Sequence, residues 1–195
     1  MLRNKDGLIV MRHDEPERKI GGLVELMGYI EAEDKIMVEV GSYMGESADI
    51  FATKVAILTC VDSWTPGYDD KDAASSTDMK LVEETFDKIV SDHSGKITKI
   101  KGKSEDVCPR FEDNSLDIVY IDAEHTYRAL TRDISIWKEK VKDTGWICGH
   151  DWQREDLRRA IIEVLGQPDK TFKDDSWCFK KDRLKPIAPQ WWENK

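Results

Sequence analysis

The chain has 195 residues, enough for one domain with a full core. Thirty Lys and Arg against 39 Asp and Glu leave a formal charge of −9, which argues against nucleic acid and against an anionic membrane surface as partners. Hydrophobic residues at 39% and charged residues at 35% describe a globular rather than a disordered chain.

In chain order, residues 1–19 show little periodicity and read as an N-terminal arm, a candidate substrate lid on a single domain of 1–195. Ile20, Leu23, Met27 and Ile30 share one helical face. Lys35–Val40 and Val55–Val61 are β-rich runs, the first followed by glycine and the second by Asp62. Thr65–Thr77, rich in Asp, Ser, Gly and Pro, reads as an irregular loop. Met79, Val82, Phe86 and Ile89 return to a helical period, followed by a weak strand at Ile97–Ile100. Leu116–Ile121 is the clearest strand; Tyr127, Leu130, Ile134, Trp137 and Val141 then form a helical face. Gly145–Cys148 is a fifth strand, Leu157, Ile161 and Val164 a further helix, and Lys170–Phe172 with Trp177–Phe179 a closing antiparallel pair. Short apolar runs alternating with helices imply a parallel sheet with helices on both faces.

No apolar run reaches the ~18 residues of a membrane-spanning helix, and the N-terminus carries no secretory signal. The four cysteines, Cys60, Cys108, Cys148 and Cys178, form no paired motif, so we expect a reduced, cytoplasmic protein without disulfides or a zinc knuckle.

Ligands of an open parallel sheet bind beyond the carboxyl ends of its strands. The first strand ends in Glu39-Val-Gly-Ser-Tyr-Met-Gly-Glu-Ser47, a glycine turn, and Asp62 follows Gly41 by about the 20 residues usual for an acid that accepts ribose hydroxyls. The G-x-x-x-G spacing of Gly41 and Gly45 lacks the G-x-G-x-x-G of a pyrophosphate site. A nucleoside without phosphates fits better; a nicotinamide-dependent oxidoreductase and a non-catalytic nucleoside-binding module remain as alternatives.

Four segments carry a family resemblance. Glu39–Ala48 resembles the first motif of class I S-adenosylmethionine-dependent methyltransferases, near the catechol O-methyltransferase branch and a small-molecule and sugar O-methyltransferase group. Gly102-Lys-Ser-Glu-Asp-Val-Cys-Pro109 is similar to the adenine loop of that branch. Tyr120-Ile-Asp-Ala-Glu-His-Thr-Tyr127 and Gly145-Trp-Ile-Cys-Gly-His-Asp-Trp152 resemble the fourth- and fifth-strand motifs of the sugar-modifying group. The resemblance implies a Rossmann-like, doubly wound, mostly parallel seven-stranded α/β sheet with a C-terminal antiparallel strand. It also implies S-adenosyl-L-methionine as cofactor. Gly41, Tyr43 and Ser47 would surround the methionine part, Asp62 the ribose with Trp64 beside it, and Ser104 and Glu105 the adenine. Glu39, Ser42, Gly45, Ser63 and Asp122 complete the implied cofactor positions. Ser104 could equally cap a helix.

Asp122 and Asp151 end neighbouring strands, so their carboxylates could converge on Mg²⁺ or another divalent metal. The resemblance makes Asp122 and His125 the catalytic pair, with His125 as general base toward a hydroxyl of a small-molecule acceptor, a sugar or secondary metabolite. The metal set would be Asp122, His150 and Asp151. Here the chain departs from its metal-using relatives, which carry two acidic or amide groups where this one has His150-Asp151, and imidazole suits Mg²⁺ poorly. Without that context Asp151 would read as a cap for the next helix. Asp133 reads as a solvated helical charge, and His93 as a surface residue at a helix end. Arg12 and His13 are candidate acceptor contacts, and Trp191-Trp192 would pack on the domain or on a second copy in a homo-oligomer.

Overall fold

The structure, a computed structural model, describes residues 2, 3, 5, 7–10, 12, 15–69 and 72–184. His13 and the Trp191-Trp192 pair lie outside the described residues.

The arm carries a two-residue antiparallel pair, β1 (Leu2–Arg3) and β2 (Ile9–Val10), then α1 (Pro16–Tyr29). Strands and helices alternate from there: β3 (Ile36–Val40), α2 (Glu46–Ala52), β4 (Ile57–Asp62), α3 (Met79–Asp92), β5 (Ile97–Lys101) and α4 (Ser104–Val107). The second half is β6 (Leu116–Ile121), α5 (Tyr127–Trp137), β7 (Val141–Gly149), α6 (Glu155–Leu165), β8 (Lys170–Thr171) and β9 (Trp177–Lys180). The seven-stranded sheet has the order β5-β4-β3-β6-β7-β9-β8. All its pairings are parallel except β7–β9 and β8–β9, so β9 alone runs against the others. This is the expected Rossmann-like α/β sheet. Strand order reverses between β3 and β6, where a crevice opens at the carboxyl ends.

Alternation along the central strands feeds two cores. Met37, Ile118 and Tyr120 point to the face covered by α1, α2 and α3, where they meet Leu23, Phe51 and Phe86. Val38, Val40, Val119 and Ile121 point to the face of α5 and α6, against Trp137 and Ile161. A strand buried on both faces must be apolar throughout, as these nearly are. The exception on β3 is Glu39, which is fully buried on the first face and registers with Cys60 and Tyr120.

Several boundaries differ from the sequence reading. Helix α1 starts at Pro16 rather than near Ile20, because proline suits the first helical position, so the arm ends before residue 19. The arm is seated rather than loose: Leu8 and Val10 join the first core, and Ile9 is buried beside them. Val141 opens β7 instead of closing the preceding helix, and it registers with Leu116 across an irregularity in the pairing. Asp78 and Thr126 cap α3 and α5, the first accepting two backbone N–H groups of the first turn and the second accepting that of Ala129. The four cysteines are buried and unpaired.

Candidate active site

The backbone ladder runs one residue past each central strand. Gly41 N–H donates to Val61 O, Asp122 N–H to Val40 O, and His150 N–H to Ile121 O. The tips of β4, β3, β6 and β7 therefore lie side by side. Gly41 has φ +89°, and a Cβ there would stand 2.1 Å from the Asp122 carbonyl oxygen, so only glycine lets the two tips touch. Tyr43, Trp64 and Asp151, each just past a strand tip, also adopt left-handed φ (46°, 44° and 65°), unusual for residues with a Cβ.

Glu39 holds this turn from beneath. One carboxylate oxygen accepts the Ser42 hydroxyl at 2.7 Å and the Cys60 thiol at 3.5 Å; the other accepts the Ser47 hydroxyl. Burial pushes its carboxyl up to about 7, opposed by those hydrogen bonds. Asp62 ties the next tip to the first, accepting Tyr43 N–H and Trp64 N–H, both at 2.8 Å. The Trp64 indole N–H donates to Tyr43 O at 2.9 Å while its ring packs on Phe86.

A cleft of about 720 Å³ opens above these tips, within the roughly 300–1,000 Å³ of small-molecule sites. Every described site position expected from the sequence lines it except Glu39, Gly45 and Trp64, which support the wall from behind. At one end, Trp137 Nε1–H donates to Ser104 Oγ at 2.8 Å, and Ser104 is hydrogen-bonded to Asp133. Ser104 is not a cap, since Lys103 holds that position without a side-chain bond. Asp133 is not a solvated charge either: it is 1% exposed, takes a hydrogen bond from Arg132, and is pushed up to about 6 by burial. Arg132 also reaches Glu105 at 3.1 Å.

At the other end, carboxylates and cations interlock. His125 Nε2 lies 3.2 Å from Asp122 Oδ1 and 3.3 Å from Asp151 Oδ2, and its Nδ1 lies 3.2 Å from Asp72 Oδ2. Burial works against the imidazolium, but Asp122, Asp72 and Asp151 push its pKa up to about 11. Asp122 is held far below the usual carboxylate range; burial opposes this, and His150, His125 and Arg12 overcome it. Arg12, from the arm, donates to Asp122 Oδ2 at 3.0 Å and lies 3.6 Å from Asp174 Oδ2.

Among the described residues, the groups whose ligand atoms come within 4.8 Å of one another are Asp122, His125 and Asp151. His150, expected from the sequence as a further ligand, donates its Nε2–H to Asp174 O at 2.6 Å and turns its Nδ1 to Asp151 Oδ1 at 3.4 Å and Asp122 Oδ1 at 3.8 Å. Asp151 does not cap α6, whose cap position is Arg154. His93 ends α3 with its Nε2 2.7 Å from Asp49, half-buried rather than free on the surface. The sequence reading did not single out Asp72 or Asp174, and nothing in periodicity or spacing marks them.

A doubly wound sheet with a crevice at its switch point defines a nucleotide- or nucleoside-binding enzyme fold of many chemistries. The sequence profile of a methyltransferase domain family matches residues 38–152, more than half of the chain. The chain belongs to that family, a class I S-adenosylmethionine-dependent methyltransferase, which displaces the oxidoreductase alternative. No curated protein matches it in sequence. Among solved structures, the O-methyltransferase NovP is similar at 14% identity and TM-score 0.61, over 82% of this chain and 78% of that one. An rRNA methylase from Streptococcus thermophilus is similar at 10% identity and TM-score 0.52, over 79% and 89%. The YcgJ protein of Bacillus subtilis is similar at 17% identity and TM-score 0.51 over 68% of this chain, which spans half the length of that protein. Such identities speak for the fold alone. Among the described residues no helix is long and apolar enough to cross a membrane.

Proposed function

We propose that the protein moves the methyl group of S-adenosylmethionine to a hydroxyl oxygen of a small polar acceptor, with His125 as general base. The observation that carries this reading is the seat of His125 Nε2 between Asp122 and Asp151, at the end of a cleft whose floor is the glycine turn and Asp62. The likeness to NovP supports oxygen as the acceptor atom. The charge of −9 supports a small molecule over the nucleic acid that the rRNA methylase takes.

The cofactor supplies an electrophilic methyl group on a sulfonium, whose departure needs little help, so the demand falls on the acceptor. An alcohol is a poor nucleophile until its proton leaves. Asp62 keeps lone pairs for ribose hydroxyls beyond those used by Tyr43 and Trp64, and Ser104 with Glu105 would face the adenine. The donor set also fits a divalent cation, since Asp122 Oδ1 and an Asp151 oxygen converge while Arg12 takes only Asp122 Oδ2. A divalent ion there would polarise the acceptor hydroxyl and cancel the charge of two of the three carboxylates that keep His125 protonated. With one proton gone from the ring, His125 takes the hydroxyl proton at Nε2, and Asp122, held ionised, balances the imidazolium.

Calorimetric titration with S-adenosylmethionine tests the cofactor: we expect micromolar binding, about −8 kcal/mol, lost in Asp62→Ala. Incubation with methyl-labelled cofactor and hydroxylated acceptors should give a methyl ether, with kcat about 10²–10⁴-fold lower in His125→Gln. Absence of binding by both S-adenosylmethionine and its demethylated product overturns the reading, and cofactor binding with no transfer to any acceptor favours a nucleoside-binding module.

A further inference from the structure

An imidazole that works as a base at Nε2 must carry its remaining proton on Nδ1, and something must hold the ring that way round. The two carboxylates that touch His125 from the strand tips, Asp122 and Asp151, both lie at Nε2. They contribute nothing to fixing Nδ1. A ring attracted only from that side would keep its proton at Nε2, next to the two negative charges, and would then have no lone pair to offer there.

The partner at the far nitrogen comes from a different part of the chain. Asp72 sits in the connection between β4 and α3, where it opens the short 3₁₀ turn Ala73–Ser76. Its Oδ1 accepts the Ala74 backbone N–H at 2.8 Å. Its Oδ2 accepts the Tyr68 hydroxyl at 2.9 Å and lies 3.2 Å from His125 Nδ1. The carboxylate is thus fixed by two donors of its own loop before it meets the imidazole, with only 14% of its side chain exposed. It is a preset acceptor aimed at one ring nitrogen.

We propose that Asp72 is a positioning residue of the methyl-transfer site: it holds the Nδ1–H of His125, so that Nε2, at the acceptor end of the cleft, is the nitrogen whose proton comes and goes. This rests on the reading of His125 as the base. It gives the loop after the ribose-side strand a second duty, coupling the wall of the cofactor cleft to the orientation of the base.

Asp72→Asn is the discriminating variant. The amide keeps the size of the carboxylate, and its single oxygen must stay with the Ala74 N–H, which an NH₂ group cannot satisfy. The NH₂ then faces Nδ1 and can only donate to it, which forces the His125 proton to Nε2. Nitrogen-15 spectra of the histidine rings, recorded on the whole chain saturated with S-adenosylhomocysteine and assigned with His125→Gln, read which nitrogen is protonated. We expect a protonated Nδ1 in the wild type and an unprotonated Nδ1 in Asp72→Asn, with kcat for methyl transfer about 10²–10⁴-fold lower and little change in KM. Tyr68→Phe, which removes only the other donor to Oδ2, should leave Nδ1 protonated. A wild-type ring without a proton on Nδ1 overturns the proposal whatever the variants do. So does an unchanged Nδ1–H in Asp72→Asn, the result if Asp72 merely caps its turn. If His125→Gln transfers methyl groups at the wild-type rate while Asp72→Asn inverts the ring protonation, the base reading falls and the orienting contact stands.

Discussion

Glu39→Gln isolates the energetic consequence of burying a carboxyl under the glycine turn. Glu39 is wholly buried, and its pKa in the folded chain is raised from 4.5 to about 7. A carboxyl raised by folding favours its neutral form in the native state. Its contribution is therefore complete below pH 4.5 and is lost as pH rises toward 7. At about 1.36 kcal/mol per pKa unit, the full loss is about 3 kcal/mol, of which about 2.5 kcal/mol falls between pH 5 and pH 8. Glutamine has nearly the same shape and stays neutral. The hydroxyls of Ser42 and Ser47 can each donate or accept, so the amide still finds partners. Urea unfolding of both proteins at pH 5 and pH 8 cancels every other titrating group. The stability of the variant relative to the wild type should improve by about 2.5 kcal/mol between the two pH values, a melting-temperature difference of roughly 5–10 °C for a chain of this size. An equal difference at both pH values would refute the reasoning, since it would mean that Glu39 ionises as freely in the fold as in water.

Gly41→Ala should cost several kcal/mol and abolish S-adenosylhomocysteine binding in calorimetry, because its Cβ would stand 2.1 Å from the Asp122 carbonyl oxygen at a φ of +89°. Arg12→Met removes the cation shared by Asp122 and the buried Asp174, a loss of about 3–5 kcal/mol by urea unfolding, and Asp174→Asn in the same chain should recover part of it. Asp133→Ala removes the partner of Ser104 and Arg132, and should weaken S-adenosylhomocysteine about tenfold in calorimetry, about 1.4 kcal/mol. Millimolar Mn²⁺ or Mg²⁺ should raise the melting temperature of the wild type and not that of Asp151→Asn; an equal response of both would place the ion elsewhere.

The central strands are legible in the sequence because burial on both faces writes them as unbroken apolar runs: Leu116–Ile121 is read at its observed bounds. The glycine turn and Asp62 are legible for a related reason, since a tip that touches another tip must lack a side chain at Gly41. Local pattern fails where a contact is made at long range. Asp133 shares the buried face of α5 with Leu130 and Trp137, but its charge reads as solvated because its partner Ser104 reaches it only through the fold. Asp72 lies in a stretch whose composition reads simply as loop, and its meeting with His125 depends on how that loop crosses the tip of β6. The tie of His150 to Asp174 O on the C-terminal hairpin has the same origin, a contact that only the fold makes. Arg12 is marked only as an arm residue near the site, whereas the structure makes it a buried cation between two acids.

That placement of Arg12 bears on the order in which the protein is made. Arg12 is made before the sheet it docks on: Asp122 is synthesised 110 residues after it and Asp174 later still. While domains form from their N-terminal side during synthesis, Leu8 and Val10 find core partners early, but the two acids of Arg12 are both in place only when the last hairpin emerges. The Arg12 side chain is thus among the last to settle, and the acceptor end of the cleft is completed only once the whole sheet stands.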